Sequence, residues 1–129
     1  MQNDPNSDYN KNFKQIVENN GFIFNEYEVE TEDGYILTVF RVRAPFIQNT
    51  KAPVIFLQHG LLSSAHCWVS NYSHLSPAFF FAINGFDVWL GNNRGSFYSR
   101  KHKVLDPDFD TIKYWDFSFI EMGKYDLPA

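Results

Sequence analysis

Apolar residues first recur at helical spacing close to the amino terminus. After a polar, Asn-rich tail over residues 1–12, Ile16 and Val17 lie three and four positions beyond Phe13. This spacing places their side chains on one face of a helix. The run Asn19-Asn20-Gly21 follows directly, and Asn and Gly are typical of helix ends. The pattern predicts a polar tail and then one short helix.

Two segments with strand composition come next. Residues 26–31 and 35–42 are rich in Tyr, Val, Ile and Phe, and Glu32-Asp33-Gly34 separates them. Residues of this kind favour strands, and Asp-Gly favours a tight turn between them. The segment therefore predicts a β-hairpin.

A strand, a helix and a second strand are predicted in the middle of the chain. The continuous apolar run at 53–57 is typical of a strand buried on both faces. Ser76-Pro77 offers an N-cap and a first-turn proline for a helix through residues 78–83, which Gly85 would end. Residues 86–91 then read as a second buried strand. Such a βαβ unit gives parallel strands, so the fold class is α/β with an antiparallel hairpin at its amino-terminal edge.

The last residues carry two helix signals. Ser118 and Glu121 have the spacing of a capping box. Asp126-Leu127-Pro128-Ala129 resembles a helix start, and we expect a helix cut off at its beginning rather than a frayed tail. No repeat or linker divides the chain, which we interpret as a tail (1–12) and one partial domain (13–129).

The composition of the chain excludes some classes of function. The chain has 129 residues, 44% of them apolar, and a net charge of −4, which argues against a nucleic-acid-binding protein. The basic run at 100–103 is short, and we expect a solvated loop there. For the fourteen Phe, core packing is favoured over a lipid-facing surface. We see no signal peptide in the polar start and no run long enough to span a membrane.

The main candidate for chemistry is the loop that follows the first buried strand. It contains His59-Gly60-Leu61-Leu62-Ser63-Ser64. A glycine-containing loop at a strand end can turn backbone N–H groups into a cleft, where they stabilise a developing oxyanion. On this pattern alone, a plain tight turn is the competing interpretation.

Several motifs together are similar to the gastric and lysosomal acid lipases in order and spacing. They are Thr31-Glu32-Asp33-Gly34-Tyr35-Ile36-Leu37, Leu57-Gln58-His59-Gly60-Leu61-Leu62, Gly85-Phe86-Asp87-Val88-Trp89-Leu90-Gly91-Asn92 with Arg94-Gly95, Ser99-Arg100-Lys101-His102, and the closing segment from Phe117 to Ala129. The resemblance covers almost the whole chain after the tail. It applies to the amino-terminal part of those enzymes.

The resemblance implies part of an α/β-hydrolase fold that hydrolyses neutral lipid esters through a Ser, Asp, His triad. It assigns one oxyanion-hole N–H to Leu61, with His59, Gly60 and Leu62 shaping the loop. No serine here sits in a Gly-x-Ser-x-Gly elbow, the usual setting of the nucleophile. By resemblance, the helix at Asp126 leads toward the nucleophile strand. We therefore expect a chain truncated before that strand and inactive alone.

Other candidate sites are weaker. His59, His66, His74, His102 and Cys67 match no usual metal-ligand spacing, so no metal and no cofactor is expected.

Cys67 lies between His66 and Trp68, and a nucleophile with an adjacent base is one interpretation. Adjacent side chains rarely point at each other productively, so a buried, structural cysteine is favoured. Asn92 and Arg94 follow the second strand, where α/β sheets gather ligand sites. For Arg94 a substrate role stays open, and a buried role holding neighbouring loops is favoured.

Two functional hypotheses remain. The first is the amino-terminal segment of a triacylglycerol or sterol-ester lipase, with neutral lipid esters as substrates once the catalytic residues are supplied, and with contact to a membrane or lipid-droplet surface. The alternative is a non-catalytic lipid-binding or protein-interaction module derived from that fold. The family suggests secretion or a lysosome, whereas the sequence shows no signal peptide, so the compartment stays open.

Overall fold

The computed structural model describes residues 8, 10–47 and 51–129. Its helices are α1 (Phe13–Asn19), α2 (Pro77–Ile83), α3 (Thr111–Tyr114) and α4 (Phe119–Glu121). Its strands are β1 (Ile23–Glu30), β2 (Tyr35–Arg43), β3 (Val54–Gln58), β4 (Asp87–Gly91) and β5 (Lys101–His102). Two 3-10 turns cover Ala65–Trp68 and Ser73–Leu75, and a π-helical turn, Met122–Asp126, continues α4. Most of the predicted tail lies outside the described residues.

One mixed sheet organises these elements. Its strand order is β1-β2-β4-β3, and β5 pairs with the start of β2. β1 and β2 form the predicted antiparallel hairpin, although β1 begins three residues earlier than the composition indicated. β3 and β4 are parallel, with α2 between them in the chain, so the predicted βαβ unit is confirmed. The fold is α/β.

The hairpin turn is built by Thr31 and Gly34. The Thr31 carbonyl accepts the Gly34 N–H at 3.0 Å, and the Thr31 hydroxyl accepts the Tyr35 N–H at 2.9 Å. Gly34 has a φ of +95°, a conformation that costs an L-residue with a side chain. The same turn carries Asp33, whose side chain reaches across the molecule.

The main core lies between the sheet and two helices. The side chains of α1 that point inward are Phe13, Ile16 and Val17, as the helical spacing predicted. Phe13 stacks on Phe40 of β2, with ring centroids 4.4 Å apart. Burial of such a side chain contributes about 1.5–3 kcal/mol. This contact fixes α1 to the sheet, and α2 packs into the same cluster through Phe79.

The prediction that the first apolar strand is buried on both faces is wrong. β3 pairs with β4 alone, and Val54 and Phe56 are 65% and 48% exposed. An apolar run identifies a strand but does not identify its neighbours. Within the described residues, β3 is an edge strand with an uncovered face.

The prediction that the phenylalanines mainly pack in the core is confirmed for most of them. Three are fully buried, five more are partly buried against the core clusters, and six are exposed. The first eight are Phe13, Phe40, Phe79, Phe22, Phe24, Phe81, Phe86 and Phe117. The exposed ones are Phe46, Phe56, Phe80, Phe97, Phe109 and Phe119. Several of them lie in loops, where helical or strand periodicity does not determine burial.

Helix α2 begins at the predicted proline with Ser76 as its N-cap residue, but the Ser76 side chain makes no capping hydrogen bond. The Ser76 hydroxyl instead donates to the Asn71 carbonyl at 2.8 Å. The helix ends as predicted, with Gly85 at a φ of +95°. The Ser118–Glu121 capping box also forms, and α4 begins there.

The predicted basic loop is partly a strand. Lys101 and His102 form β5, and the neighbouring cations pair with carboxylates. Lys101 contacts Glu28, and Lys103 lies 2.6 Å from Glu30. Among the described residues, no helix is long and apolar enough to cross a membrane.

Candidate active-site cleft

A cleft of about 900 Å³ opens at the end of the parallel strand pair. Three segments line it. They are the loop after β3, the loop after β4 and the segment around α4. Because β3 and β4 are parallel, their carboxyl ends meet at this edge, where α/β sheets place ligand sites.

The loop after β3 presents a free backbone donor. Leu61 lines the cleft, and its N–H makes no hydrogen bond to any other described residue. A turn closes the loop, because the Ser63 N–H donates to the Gly60 carbonyl at 3.3 Å. Leu62 adopts a φ of +62°, which costs an L-residue about 1–2 kcal/mol. Its side chain is 99% exposed, so no packing offsets this strain.

His59 joins this loop to the loop after β4. The imidazole is buried, and its Nε2 accepts the Asn93 N–H at 3.1 Å. Its Nδ1 lies 2.8 Å from the carbonyl oxygen of Gly60. Both ring nitrogens are engaged, so His59 is not a free general base in this arrangement.

Asn92 holds three segments together from a buried position. Its Oδ1 accepts the Ala65 N–H at 2.9 Å, and its Nδ2 donates to the Thr38 carbonyl at 3.0 Å. Its own carbonyl accepts the Ser99 hydroxyl at 2.9 Å. Asn92 thus connects β2, the loop after β3 and the loop after β4.

Arg94 is buried and binds two carboxylates. Its guanidinium donates to both oxygens of Asp33, at 2.6 and 2.9 Å. Its Nε donates to Asp126 at 2.7 Å, and its backbone N–H donates to the same carboxylate at 2.9 Å. The guanidinium also lies 4.0 Å from the centre of the Tyr35 ring. Arg94 therefore fastens the hairpin turn and the end of the chain to the loop after β4.

The two carboxylates respond differently to this arrangement. Desolvation acts to raise the pKa of Asp33, but hydrogen bonds from Arg94 and Thr31 outweigh it, and the pKa lies below its ordinary value. Burial raises the pKa of Asp126, because its bonds from Arg94 offset only part of the desolvation. The side chain of Asp126 is 2% exposed, against 29% for Asp33. Asp126 is therefore the partner that depends most on Arg94.

Asp126 does not begin a helix, contrary to the prediction. It is the last residue of the π-helical turn Met122–Asp126, and Leu127 is the C-cap of that turn. The side chain that we interpreted as an N-cap is bound to Arg94. The sequence carried no signal for this link, since 32 residues separate the two. Nor did it indicate the contact between His59 and Asn93.

Cys67 is exposed, so the prediction of a buried structural cysteine is wrong. It lies in the 3-10 turn Ala65–Trp68, in which Ala65 takes the inward position. Cys67 and His66 both line the cleft instead. Among the described residues, no group of three potential metal ligands comes together.

Exposed apolar side chains surround the mouth of the cleft. Leu61, Phe97 and Phe119 are 65%, 81% and 71% exposed. The apolar side chains come from all three lining segments. The cleft therefore combines a free backbone donor with an apolar rim.

Comparison with known proteins gives a consistent result. Residues 13–72 match the family model described as the partial alpha/beta-hydrolase lipase region. The chain is 48% identical to rat gastric triacylglycerol lipase over 129 residues, which cover 96% of this chain and 32% of that one. It is 49% identical to human lysosomal acid lipase/cholesteryl ester hydrolase, covering 93% of this chain and 30% of that one. For human lipase member M the identity is 48%, with coverages of 92% and 28%.

The chain spans about a third of the length of these relatives. The aligned region extends over nearly all of this chain. The α/β fold and the sequence resemblance agree with the matches. The chain is therefore similar, over nearly all of its length, to the amino-terminal region of the gastric and lysosomal acid lipases.

Proposed function

We propose that this chain provides the oxyanion-hole part of a lipid-ester hydrolase, with the Leu61 N–H as one donor. The observation that supports this most strongly is the Leu61 N–H, which has no hydrogen-bond partner among the described residues and lies at a cleft that follows a parallel strand. A backbone donor without an internal partner is available to a ligand oxygen.

The chemistry is acyl transfer. When a nucleophile attacks an ester carbonyl, negative charge develops on the carbonyl oxygen, and a fixed N–H stabilises that charge more than it stabilises the neutral ester. Loss of one such donor costs about 100- to 1000-fold in kcat. The Leu61 side chain has no part in this step, which fits its exposure.

The substrates we propose are neutral lipid esters. Relatives bear the names triacylglycerol lipase and cholesteryl ester hydrolase. The apolar rim formed by Leu61, Phe97 and Phe119 suits acyl chains. It also suits contact with a membrane or lipid-droplet surface.

We further propose that the chain does not hydrolyse esters alone. It lacks a Gly-x-Ser-x-Gly elbow, and among the described residues no serine hydroxyl bonds to a histidine ring. A serine nucleophile needs a base within hydrogen-bond reach. The nucleophile, the acid and the base would come from residues outside this chain.

Two preparations test the proposal. The first is the chain itself, and the second is a hybrid in which it replaces the matching segment of rat gastric lipase. With p-nitrophenyl butyrate, we expect no turnover by the chain and clear turnover by the hybrid. Hydrolysis by the chain alone, abolished by a serine-directed inhibitor, would overturn the claim of inactivity.

Variants at one position test the donor. In the hybrid, Leu61→Pro removes the N–H, whereas Leu61→Ala keeps it and removes only the side chain. We expect proline to lower kcat about 100- to 1000-fold and alanine to lower it far less. Equal losses would show that the side chain, not the N–H, matters.

The exposed apolar rim also favours a second candidate, a non-catalytic lipid-binding module. Phosphatidylcholine vesicles with and without triolein distinguish the two functions. Binding of the chain to these vesicles, together with an inactive hybrid, would support the binding module. Activity of the hybrid would support the hydrolase.

A further inference from the structure

The peptide between Gly60 and Leu61 is held from its carbonyl side. His59 contacts the Gly60 oxygen, and the Leu61 N–H belongs to the same peptide unit. A trans peptide is planar, so its C=O and N–H point in opposite directions. We infer that His59 is a positioning residue that fixes the direction of the Leu61 N–H. This inference rests on the oxyanion role proposed for Leu61.

The hydrogen bonds define the state of the imidazole. The Asn93 N–H can only donate, so Nε2 of His59 is the acceptor and carries no proton. Nδ1 then carries the proton and donates to the Gly60 carbonyl. A neutral histidine has one donor and one acceptor nitrogen, and here both are used.

The Nε2 side of the His59 ring is bound to Asn93, in the loop that directly follows β4. Asn93 directly follows Asn92 and precedes Arg94, which are both buried. The Asn93 side chain accepts a hydrogen bond from Gln58 at 3.0 Å, and its carbonyl accepts the Ser96 N–H at 3.1 Å. Through its two hydrogen bonds, His59 thus connects the loop after β4 to the Gly60 carbonyl.

The loop has little else to orient this peptide. Leu61 and Leu62 are largely exposed, and a Cβ added at Gly60 would meet no atom within 4 Å. The turn bond from Ser63 to the Gly60 oxygen is long, at 3.3 Å. The His59 bond is shorter, at 2.8 Å. Bonding to the carbonyl also polarises the peptide and strengthens its N–H as a donor.

Three substitutions separate the two hydrogen bonds of His59. Asn places an N–H donor near the Nδ1 position, so His59→Asn can keep the bond to Gly60. Gln places its amide oxygen near the Nε2 position, so His59→Gln can keep the bond to Asn93. His59→Phe keeps the ring volume and removes both bonds.

Kinetics of these variants in the rat gastric lipase hybrid test the inference. With p-nitrophenyl butyrate, we expect Phe and Gln to lower kcat about 10- to 100-fold with KM changed less than about twofold, since orientation is lost but the donor remains. Asn should recover most of the kcat that Phe loses. Equal kcat in all three variants, or a change in KM alone, would overturn the inference. Melting temperatures identify any loss that comes from unfolding, and Asn against Phe remains the deciding pair.

A measurement on the chain itself separates this inference from the function it rests on. Nitrogen-15 NMR of the imidazole reports which ring nitrogen carries the proton. We expect Nδ1 protonated and Nε2 bare. The opposite tautomer would refute the positioning role. If the tautomer is as expected but Leu61→Pro leaves kcat of the hybrid unchanged, then the oxyanion role is wrong while the His59 contacts stand.

Discussion

Replacing Arg94 with methionine tests how the cleft is held together. Methionine keeps much of the side-chain length and removes every guanidinium hydrogen bond to Asp33 and Asp126. Asp33 is 29% exposed and can be rehydrated, whereas Asp126 is 2% exposed and cannot. The loss of stability in Arg94→Met therefore comes mainly from the buried carboxylate of Asp126, which no longer has a cationic partner.

The expected loss of unfolding free energy in Arg94→Met follows from this difference in exposure between Asp33 and Asp126. Breaking a buried ion pair by removing one partner costs about 3–5 kcal/mol. Burial already raises the pKa of Asp126, so the carboxyl can take up a proton when Arg94 is lost, which places the cost near the lower end. About 3 kcal/mol is a large share of the roughly 5–15 kcal/mol that stabilises a typical domain.

Urea unfolding of the chain, followed by circular dichroism at neutral pH, measures this cost. Arg100→Met is the matched control, because Arg100 pairs with Asp108 at the surface and such pairs contribute about 0–1 kcal/mol. Combining Arg94→Met with Asp126→Leu should recover much of the loss, since apolar residues often replace a buried pair at little cost. A loss below about 1 kcal/mol for Arg94→Met, within the range of a surface pair, would refute the reasoning.

Three further predictions concern stability. Leu62→Gly should stabilise the chain by about 0.5–1 kcal/mol, because glycine relieves the strain of a positive φ but loses more backbone entropy; thermal unfolding that shows a loss would contradict this. The Arg41 guanidinium holds the pKa of Asp87 below its ordinary 3.8, so this pair stabilises above that pH and the effect is lost as the pH falls through the lower folded value; Asp87→Asn should flatten the acid side of the pH–stability curve. Burial raises the pKa of Tyr114 to about 12 from 10.0, so its contribution is complete below pH 10 and is lost toward 12. Burial also raises the pKa of Tyr35 and Tyr98, so ultraviolet titration of Tyr114→Phe should show one late tyrosinate fewer than the chain.

The sequence predicted the elements whose side chains repeat regularly. Helix α1, the hairpin and the parallel β3–β4 pair all follow from local periodicity and turn residues. The burial of β3 was predicted wrongly, because burial depends on which elements cover a strand. The same holds for Phe97 and Phe119, which lie at the cleft mouth rather than in the core.

The roles of the site residues were predicted from the family resemblance. Their contacts became visible only in the structure. The loop after β3 was identifiable from its strand end and its glycine. The bond from Arg94 to Asp126 and the bond from Asn93 to His59 join residues more than thirty positions apart. No spacing in the sequence encodes them, because they arise only when the sheet brings three loops to one edge. Asp126 was misinterpreted because an Asp before a Pro is typical of a helix start.

The central claim is that the Leu61 N–H stabilises an oxyanion, and one atomic substitution tests it most directly. Replacing the Gly60–Leu61 amide by a backbone ester, in a semisynthetic hybrid with the rat gastric lipase remainder, exchanges the N–H for an oxygen and keeps every side chain. The account predicts that kcat for p-nitrophenyl butyrate falls about 100- to 1000-fold while KM changes little. An unchanged kcat in a folded hybrid would contradict it.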